Sequence, residues 1–137
     1  MNQSKRAARV MAMQVLYAME VGQQGVRTAL ESVLDSLPVR DDQKSYGMKL
    51  INLVQEHRQE LEADIYKHIQ NWNPERLATL DNLLLLIGTA ELRYCGDVPV
   101  PVVLSELTAI AQKYSTAESA RFVNGILEGV RSKFSKL

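Results

Sequence analysis

The 137-residue chain has little of several features that mark common classes of protein. Its one cysteine, Cys95, excludes an internal disulfide and a zinc site built from cysteines. Its densest apolar stretch, residues 83–87, is far shorter than the roughly 20 residues that a membrane span requires. The basic amino terminus is not followed by the apolar run of a signal peptide. We therefore expect a cytoplasmic protein without a membrane segment.

Patterns for catalysis and cofactor binding are also scarce. The seven glycines are scattered, and none forms the GxxxxGK or GxGxxG pattern that cradles a phosphate. Asp64 and His68, four residues apart, could supply two ligands to a metal ion. No second pair of ligands accompanies them, so a solvated acid–histidine pair is the simpler interpretation. We expect no enzyme, no metal site and no cofactor.

Charge is balanced overall but unevenly distributed. Sixteen basic residues match sixteen acidic ones, so no whole-protein field favours nucleic acid. Residues 1–27 nevertheless carry four basic residues against one acidic, and residues 113–137 carry five against two. The segment between them carries seven against thirteen. If the two basic ends meet in space, they form a local anion-binding patch beside an acidic face.

Helical periodicity dominates the chain, and we predict an all-α fold of about seven helices in one domain, residues 1–137. The predicted helices cover residues 5–21, 28–37, 41–54, 61–69, 77–94, 102–113 and 115–134. Asn73-Pro74 is typical of a helix start, and Thr28–Glu31 and Ser115–Glu118 have the spacing of capping boxes. The helix over 77–94 is apolar almost all round, which is typical of a central, buried helix.

The first helix combines cations with an aromatic residue. Lys5, Arg6 and Arg9 lie at its start, with no acidic residue before Glu20. Arg6 and Tyr17 fall within about 20° on one helical face and ~16 Å apart along the axis. That arrangement suits single-stranded RNA, with a guanidinium on phosphate and a ring stacked on a base. A basic first turn that aids solubility, with Tyr17 in the core, explains the same residues equally well.

The last helix contains a second unusual feature. Asn124 and Gly125 are adjacent poor helix formers in its middle. Gly125 would let another helix or a ligand backbone come close, and helix packing is the commoner cause. Glu118 fits a capping role toward Ser115, and Arg121 could pair with Glu118.

Taken in order, these residues resemble the NusB family of bacterial transcription antitermination factors. The resemblance is carried by four stretches that span nearly the whole chain: residues 6–9 with 13–17, residues 72–77 with Asp81 and 90–92, residues 97–99 with Glu106, and residues 122–127. The most specific are the Arg-x-x-Arg…Gln-x-Leu-Tyr start and the Phe-Val-Asn-Gly-x-Leu run near the carboxy terminus.

The resemblance implies an all-helical fold of two helical subdomains and a non-catalytic role. It implies binding to boxA-type single-stranded RNA of ribosomal-RNA transcripts, together with the ribosomal protein NusE, in an antitermination complex on RNA polymerase. It assigns RNA contacts to Lys5, Arg6, Arg9, Tyr17, Glu118, Arg121 and Phe122. It also assigns the basic partner to an acidic central face that includes Glu75 and Asp81.

Two alternatives to an RNA-binding adaptor stay open. Cytosine methyltransferases of ribosomal RNA carry a NusB-like domain, so the chain could be an accessory domain of such a system. It could also be a helical module that pairs with itself through apolar surface, as a homodimer.

Overall fold

Six α-helices make up the part of the chain that the computed structural model describes, which is residues 2–69 and 77–134. They are α1 (Asn2–Glu20), α2 (Val26–Ser36), α3 (Asp41–Tyr66), α4 (Thr79–Tyr94), α5 (Val100–Tyr114) and α6 (Ala117–Phe134). The prediction of an all-α fold is confirmed. The predicted helix start at Asn73-Pro74 lies outside the described residues.

The count is six rather than seven because two predicted helices are one. The long α3 runs through both of them, with a kink at His57, where φ is −118° and ψ is 21°. The polar run over residues 55–60 interrupts the apolar stripe and suggested a break. The helix continues because Leu61 and Ile65, beyond the kink, are buried like Leu50 and Val54 before it.

Five of the six helix starts differ by two or three residues from their predicted positions, and two of these five involve the predicted capping boxes. The second helix begins at Val26, with Gly25 as its N-cap, two residues before the predicted Thr28. The last helix is capped by Thr116, not Ser115, because the Thr116 hydroxyl accepts the backbone N–H of Ser119 at 2.9 Å. The Ser115 hydroxyl instead donates to the Ser119 hydroxyl at 2.9 Å. The Thr116 cap satisfies one of the backbone donors that a helix start leaves free, whereas Gly25 has no side chain to do so.

Helix α4 lies at the centre of the fold. Every residue from Asp81 to Leu92 is buried, as a helix that is apolar almost all round predicts. It packs against α1 and α3 on one side and against α5 and α6 on the other, so two three-helix groups share a continuous core. Among the described residues α1 and α6 do not touch, because α4 and α5 separate them. None of the described helices is both long enough and apolar enough to cross a membrane.

Candidate nucleic-acid interface

The two arginines at the start of α1 have different environments. Arg9 is fully buried, and its Nε and Nη2 donate to the two carboxylate oxygens of Glu91 at 2.6 and 2.8 Å. Its Nη1 lies 3.5 Å from Oε1 of Glu106. The prediction that Arg9 contacts phosphate is therefore wrong for this structure. Its guanidinium neutralises buried carboxylates, which would otherwise be very costly inside the core.

Arg6 lies at the surface, where the Glu106 carboxylate binds one side of its guanidinium. Its Nε and Nη2 donate to Glu106 at 2.9 and 2.8 Å, while 47% of its side chain stays exposed. The hydrogen bond to Glu106 raises the pKa of Arg6 above its ordinary value. A guanidinium has five N–H donors, so three remain after this two-point contact. Arg6 is thus an oriented cation with donors left for a further anion.

Lys5 lies toward the other side of α1, next to α3. Its Nζ is 5.2 Å from the centre of the Tyr46 ring, and Nζ of Lys49 is 5.9 Å from the same ring. Tyr46 in turn donates its hydroxyl proton to Glu91 at 2.7 Å. The cationic surface at the start of α1 therefore extends from Arg6 through Lys5 to Lys49.

A groove runs along α1, between this helix and the end of α5, and its larger cavity also borders the start of α4 at residues 78–80. Its smaller cavity, about 280 Å³, is lined by residues that include Arg6, Val10 and Lys113. Its larger cavity, about 470 Å³, is lined by residues that include Gln14 and Tyr17. The ring of Tyr114 lines both cavities, so we treat them as one surface and call it the α1–α5 groove.

Aromatic rings are exposed along this groove. Tyr17 is 42% exposed and Tyr114 is 37% exposed. The alternative that Tyr17 belongs to the core is therefore excluded. Nζ of Lys113 lies 5.5 Å from the Tyr114 ring, so the groove pairs a cation with an aromatic at its α5 side as well as along α1.

Sequence reasoning missed Lys113 and Tyr114 as candidate site residues. A cation beside an aromatic was the signal that selected Arg6 and Tyr17, and residues 113–114 carry it too. What the sequence did not reveal is that the end of α5 lies beside α1, because that proximity joins residues about 100 positions apart.

The predicted residues of α6 lie on a helix that packs against α5 and α4 and, among the described residues, not against α1. Glu118 and Arg121 are exposed, and Phe122 is partly buried against the core. The last turn of α6 contacts α3, since Nζ of Lys133 donates to the buried carboxylate of Asp64 at 2.6 Å. Among the described residues, the cations of α1 and α6 therefore do not meet directly, whereas Lys113, the first cation of the basic segment 113–137, lines the same cavity as Arg6.

Asp81, which the resemblance places on the acidic partner face, is a buried residue. Asp81 is only 8% exposed, and its Oδ2 accepts the hydroxyl proton of Ser119 at 3.1 Å while Oδ1 has no hydrogen-bond partner. Burial raises the pKa of this carboxyl. The prediction that Asp81 lies on an open acidic face is wrong, and Glu75 lies outside the described residues.

Asp64 is likewise buried rather than solvated, and its partners are Arg93 at 2.8 Å and Lys133 at 2.6 Å. In residues 5–69 and 77–134, no three histidine, cysteine or acidic side chains are grouped as metal ligands.

The fold and its groove define an all-helical protein that gathers exposed cations and aromatic rings on one surface. The model of the NusB family matches residues 6–132, and the chain belongs to that family. The resemblance read from the sequence motifs is thereby confirmed.

Individual relatives agree with this assignment. The transcription antitermination protein NusB of Chloroherpeton thalassium is 40% identical over 126 residues, which cover 91% of this chain. The chain spans only 60% of that relative's length. The transcription antitermination protein NusB of Methylacidiphilum infernorum is 35% identical over 128 residues, covering 93% of this chain and 90% of that protein.

A solved structure shows the same fold. It is a crystal structure of the antitermination factors NusB and NusE in complex with double-stranded RNA. A chain of that crystal structure superposes with a TM-score of 0.86 over 98% of this chain and 100% of that one. The sequence identity is 24%, so the likeness establishes the fold alone.

Proposed function

We propose that the protein is a non-catalytic, cytoplasmic antitermination factor that binds boxA-type RNA of ribosomal-RNA transcripts. In this proposal it acts together with NusE on elongating RNA polymerase. Membership of the NusB family supports the proposal, since curated relatives are named transcription antitermination protein. The observation that carries it is the α1–α5 groove, where two cations and two exposed tyrosines share one continuous surface.

The groove has the chemistry that single-stranded RNA requires. Arg6 and Lys113 offer charge to phosphates, and the rings of Tyr17 and Tyr114 offer faces to unstacked bases. Arg6 is the better phosphate ligand of the two cations, because Glu106 orients its planar donor fork without covering it. Phosphate contacts would supply affinity, and base contacts would supply sequence preference.

The RNA-binding surface in this proposal extends beyond the groove on both sides. Lys5 extends the cationic path toward α3. On α6, Arg121 is an exposed cation next to the partly exposed ring of Phe122, and Glu118 lies one turn before them. Arg9 belongs to the framework under this surface rather than to the surface itself.

NusE is the partner in this proposal because a NusB-fold structure of the same architecture was solved in complex with it. Asp81 would act on the partner surface indirectly. Its bond to Ser119 ties the start of α4 to the first turn of α6, so it positions those two helix ends. Glu75 remains the proposed direct acidic contact.

The proposal is tested by titrating boxA-type RNA and a scrambled RNA of equal length, each with and without NusE. We expect tighter binding of the boxA-type RNA and a further gain when NusE is present. Equal and negligible binding of both RNAs in the presence of NusE would overturn the proposal. Light scattering of the same samples reports whether the chain pairs with itself instead.

A further inference from the structure

A separate cavity lies between the start of α1 and the start of α3. Its volume is about 280 Å³. The described residues that line it are Lys5 of α1 and five residues of α3: Asp42, Gln43, Ser45, Tyr46 and Lys49. Sites for whole small molecules begin at roughly 300 Å³, so this cavity suits a single small group better than a cofactor.

Two cations border this cavity without a counter-ion. Nζ of Lys5 lies 5.2 Å from the centre of the Tyr46 ring, and Nζ of Lys49 lies 5.9 Å from it. The ring is fixed in turn, because its hydroxyl donates to the buried Glu91 at 2.7 Å. Among residues 5–69 and 77–134, neither ammonium group has an ion-pair partner. Two like charges on one cavity repel each other, and an anion between them replaces that repulsion with attraction.

The other polar residues of the cavity also favour an anion. The carboxylate of Asp42 is already neutralised, since it accepts from Nε and Nη2 of Arg40 at 3.2 and 3.4 Å. Gln43 is only 8% exposed, and its Oε1 accepts the backbone N–H of Arg40 at 2.9 Å. Its amide nitrogen has no acceptor among the described residues. Buried polar groups are normally hydrogen-bonded, so this unpartnered donor on the cavity points to an acceptor that binds there.

The position of the cavity favours a phosphate of RNA over other anions. Arg6, which lines the smaller cavity of the α1–α5 groove, directly follows Lys5 in the chain. The Cα atoms of adjacent residues are about 3.8 Å apart. An RNA strand that places one phosphate on Arg6 therefore meets Lys5 and this cavity when it continues past the start of α1.

We propose, on the basis of the RNA binding proposed above, that this cavity holds a backbone phosphate next to the one bound by Arg6. Lys5 and Lys49 contact its oxygens, and the amide nitrogen of Gln43 donates to it. Lys49 and Gln43 thereby become RNA-binding residues, and the RNA surface extends from α1 onto α3. A phosphate contact is independent of base identity, so the cavity adds affinity and fixes the path of the strand without reading its sequence.

The test uses the full chain with NusE and a boxA-type RNA that carries a few extra nucleotides on each side. One phosphate at a time is replaced by an uncharged methylphosphonate. We expect one neutral linkage to lower the affinity of the unsubstituted protein several-fold. Lys49→Ala should lower the affinity for unmodified RNA by a similar factor and flatten the slope of log K against log salt by about 0.7. In that variant the same neutral linkage should cost clearly less, because cation and phosphate act as one pair.

Lys44→Ala is the matched control, because it removes the same charge from an exposed position of α3 that does not line the cavity. It should change neither the salt slope nor the penalty of the neutral linkage, and circular dichroism should show that both variants are folded. Slopes that flatten equally in the two variants would overturn the site, because net charge would then explain the effect.

The remaining outcomes separate the site from the proposed function. If every neutral linkage costs the same in Lys49→Ala as in the unsubstituted protein, the phosphate site is overturned while RNA binding stands. If Lys49→Ala weakens NusE binding and leaves RNA affinity intact, an acidic group of the protein partner occupies the cavity and the site is again overturned. If the unsubstituted protein binds no RNA at all, the proposed function fails together with the site.

Discussion

Arg9 and Glu91 form a two-point ion pair, at 2.6 and 2.8 Å, in which both side chains are completely buried. The pair joins α1 to α4, and the hydroxyl of Tyr46 adds α3 by donating to the same carboxylate. Glu106 adds α5, since it accepts from Arg6 and lies 3.5 Å from Arg9. Four helices thus meet at one buried charge network beneath the candidate RNA surface.

Removing Arg9 should therefore damage the fold rather than the RNA site. Arg9→Ala leaves Glu91 buried without its cation, and we expect a loss of about 3–5 kcal/mol in the free energy of unfolding. Urea unfolding followed by circular dichroism measures it. Arg40→Ala is the control, because the Arg40–Asp42 pair is exposed and an exposed ion pair adds little to stability. Equal stability losses in the two variants would contradict the structural role of Arg9.

Arg6 should behave in the opposite way. Arg6→Ala removes one phosphate contact, so RNA affinity should fall and the slope of log K against log salt should flatten by about one unit. Stability should fall by less than in Arg9→Ala, because Glu106 loses its two hydrogen bonds from Arg6 but still has Arg9 at 3.5 Å. Fluorescence anisotropy at several salt concentrations gives the slope.

Arg27→Ala is the matched control for Arg6→Ala. It removes the same charge from an exposed position on α2 that lines neither cavity of the groove. A salt slope that flattens equally in both variants would mean that net charge, not the position of Arg6, governs binding.

Two glycines in helices should respond oppositely to alanine. A Cβ on Gly47 would lie 2.8 Å from the Met11 sulfur and 3.1 Å from the Ala8 carbonyl oxygen, so the buried Met11 side chain would have to move and the α1 backbone would have to shift by a few tenths of an ångström. We expect Gly47→Ala to destabilise the protein by roughly 1–3 kcal/mol. Gly125 has nothing within 4 Å of that position, so the expectation that another helix packs there is wrong. Gly125→Ala should stabilise by about 0.5–1 kcal/mol, the difference in helix propensity.

Thermal unfolding of the two alanine variants tests this contrast directly. A destabilised Gly125→Ala would show that the exposed face of α6 is constrained in a way that its surroundings do not explain. A neutral Gly47→Ala would show that the steric cost is no larger than the gain in helix propensity.

The buried carboxyl of Asp81 predicts a dependence of stability on pH. Burial raises its pKa in the folded state above the ordinary 3.8, so the folded protein binds the proton more tightly than the unfolded chain. The contribution of Asp81 to stability therefore falls as pH rises from about 3.8 through the raised pKa, and stays low above it.

Asp81→Asn removes that charge while keeping the shape. We expect the variant to be more stable than the unsubstituted protein at pH 7, with an advantage that shrinks toward pH 4. Urea unfolding at both pH values measures the difference. Ser119→Ala, which removes the hydrogen bond to Oδ2, should lower stability at pH 7. An advantage of Asp81→Asn that is the same at both pH values would exclude this origin.

Local patterns in the sequence were sufficient to predict the helical segments, the buried character of α4 and the family. Helical periodicity and side-chain polarity act within a few residues, so a single sequence displays them. The errors arose where local patterns were ambiguous. The polar run before Leu61 suggested a helix end, but α3 continues through it. Ser115 and Thr116 are adjacent residues that can both cap a helix, and in the folded chain Thr116 is the cap.

Which residues of the candidate RNA surface are exposed was decided only by tertiary structure. Arg6 and Arg9 are chemically alike and three residues apart, yet one is half exposed and the other is buried, because α4 and α5 place Glu91 and Glu106 over that face of α1. Lys113 and Tyr114 line the groove because helix packing places the end of α5 next to α1. The amino-acid sequence alone determined that cations and rings were present in helices. Which of them face solvent together depends on helix packing, which brings together residues about 100 positions apart.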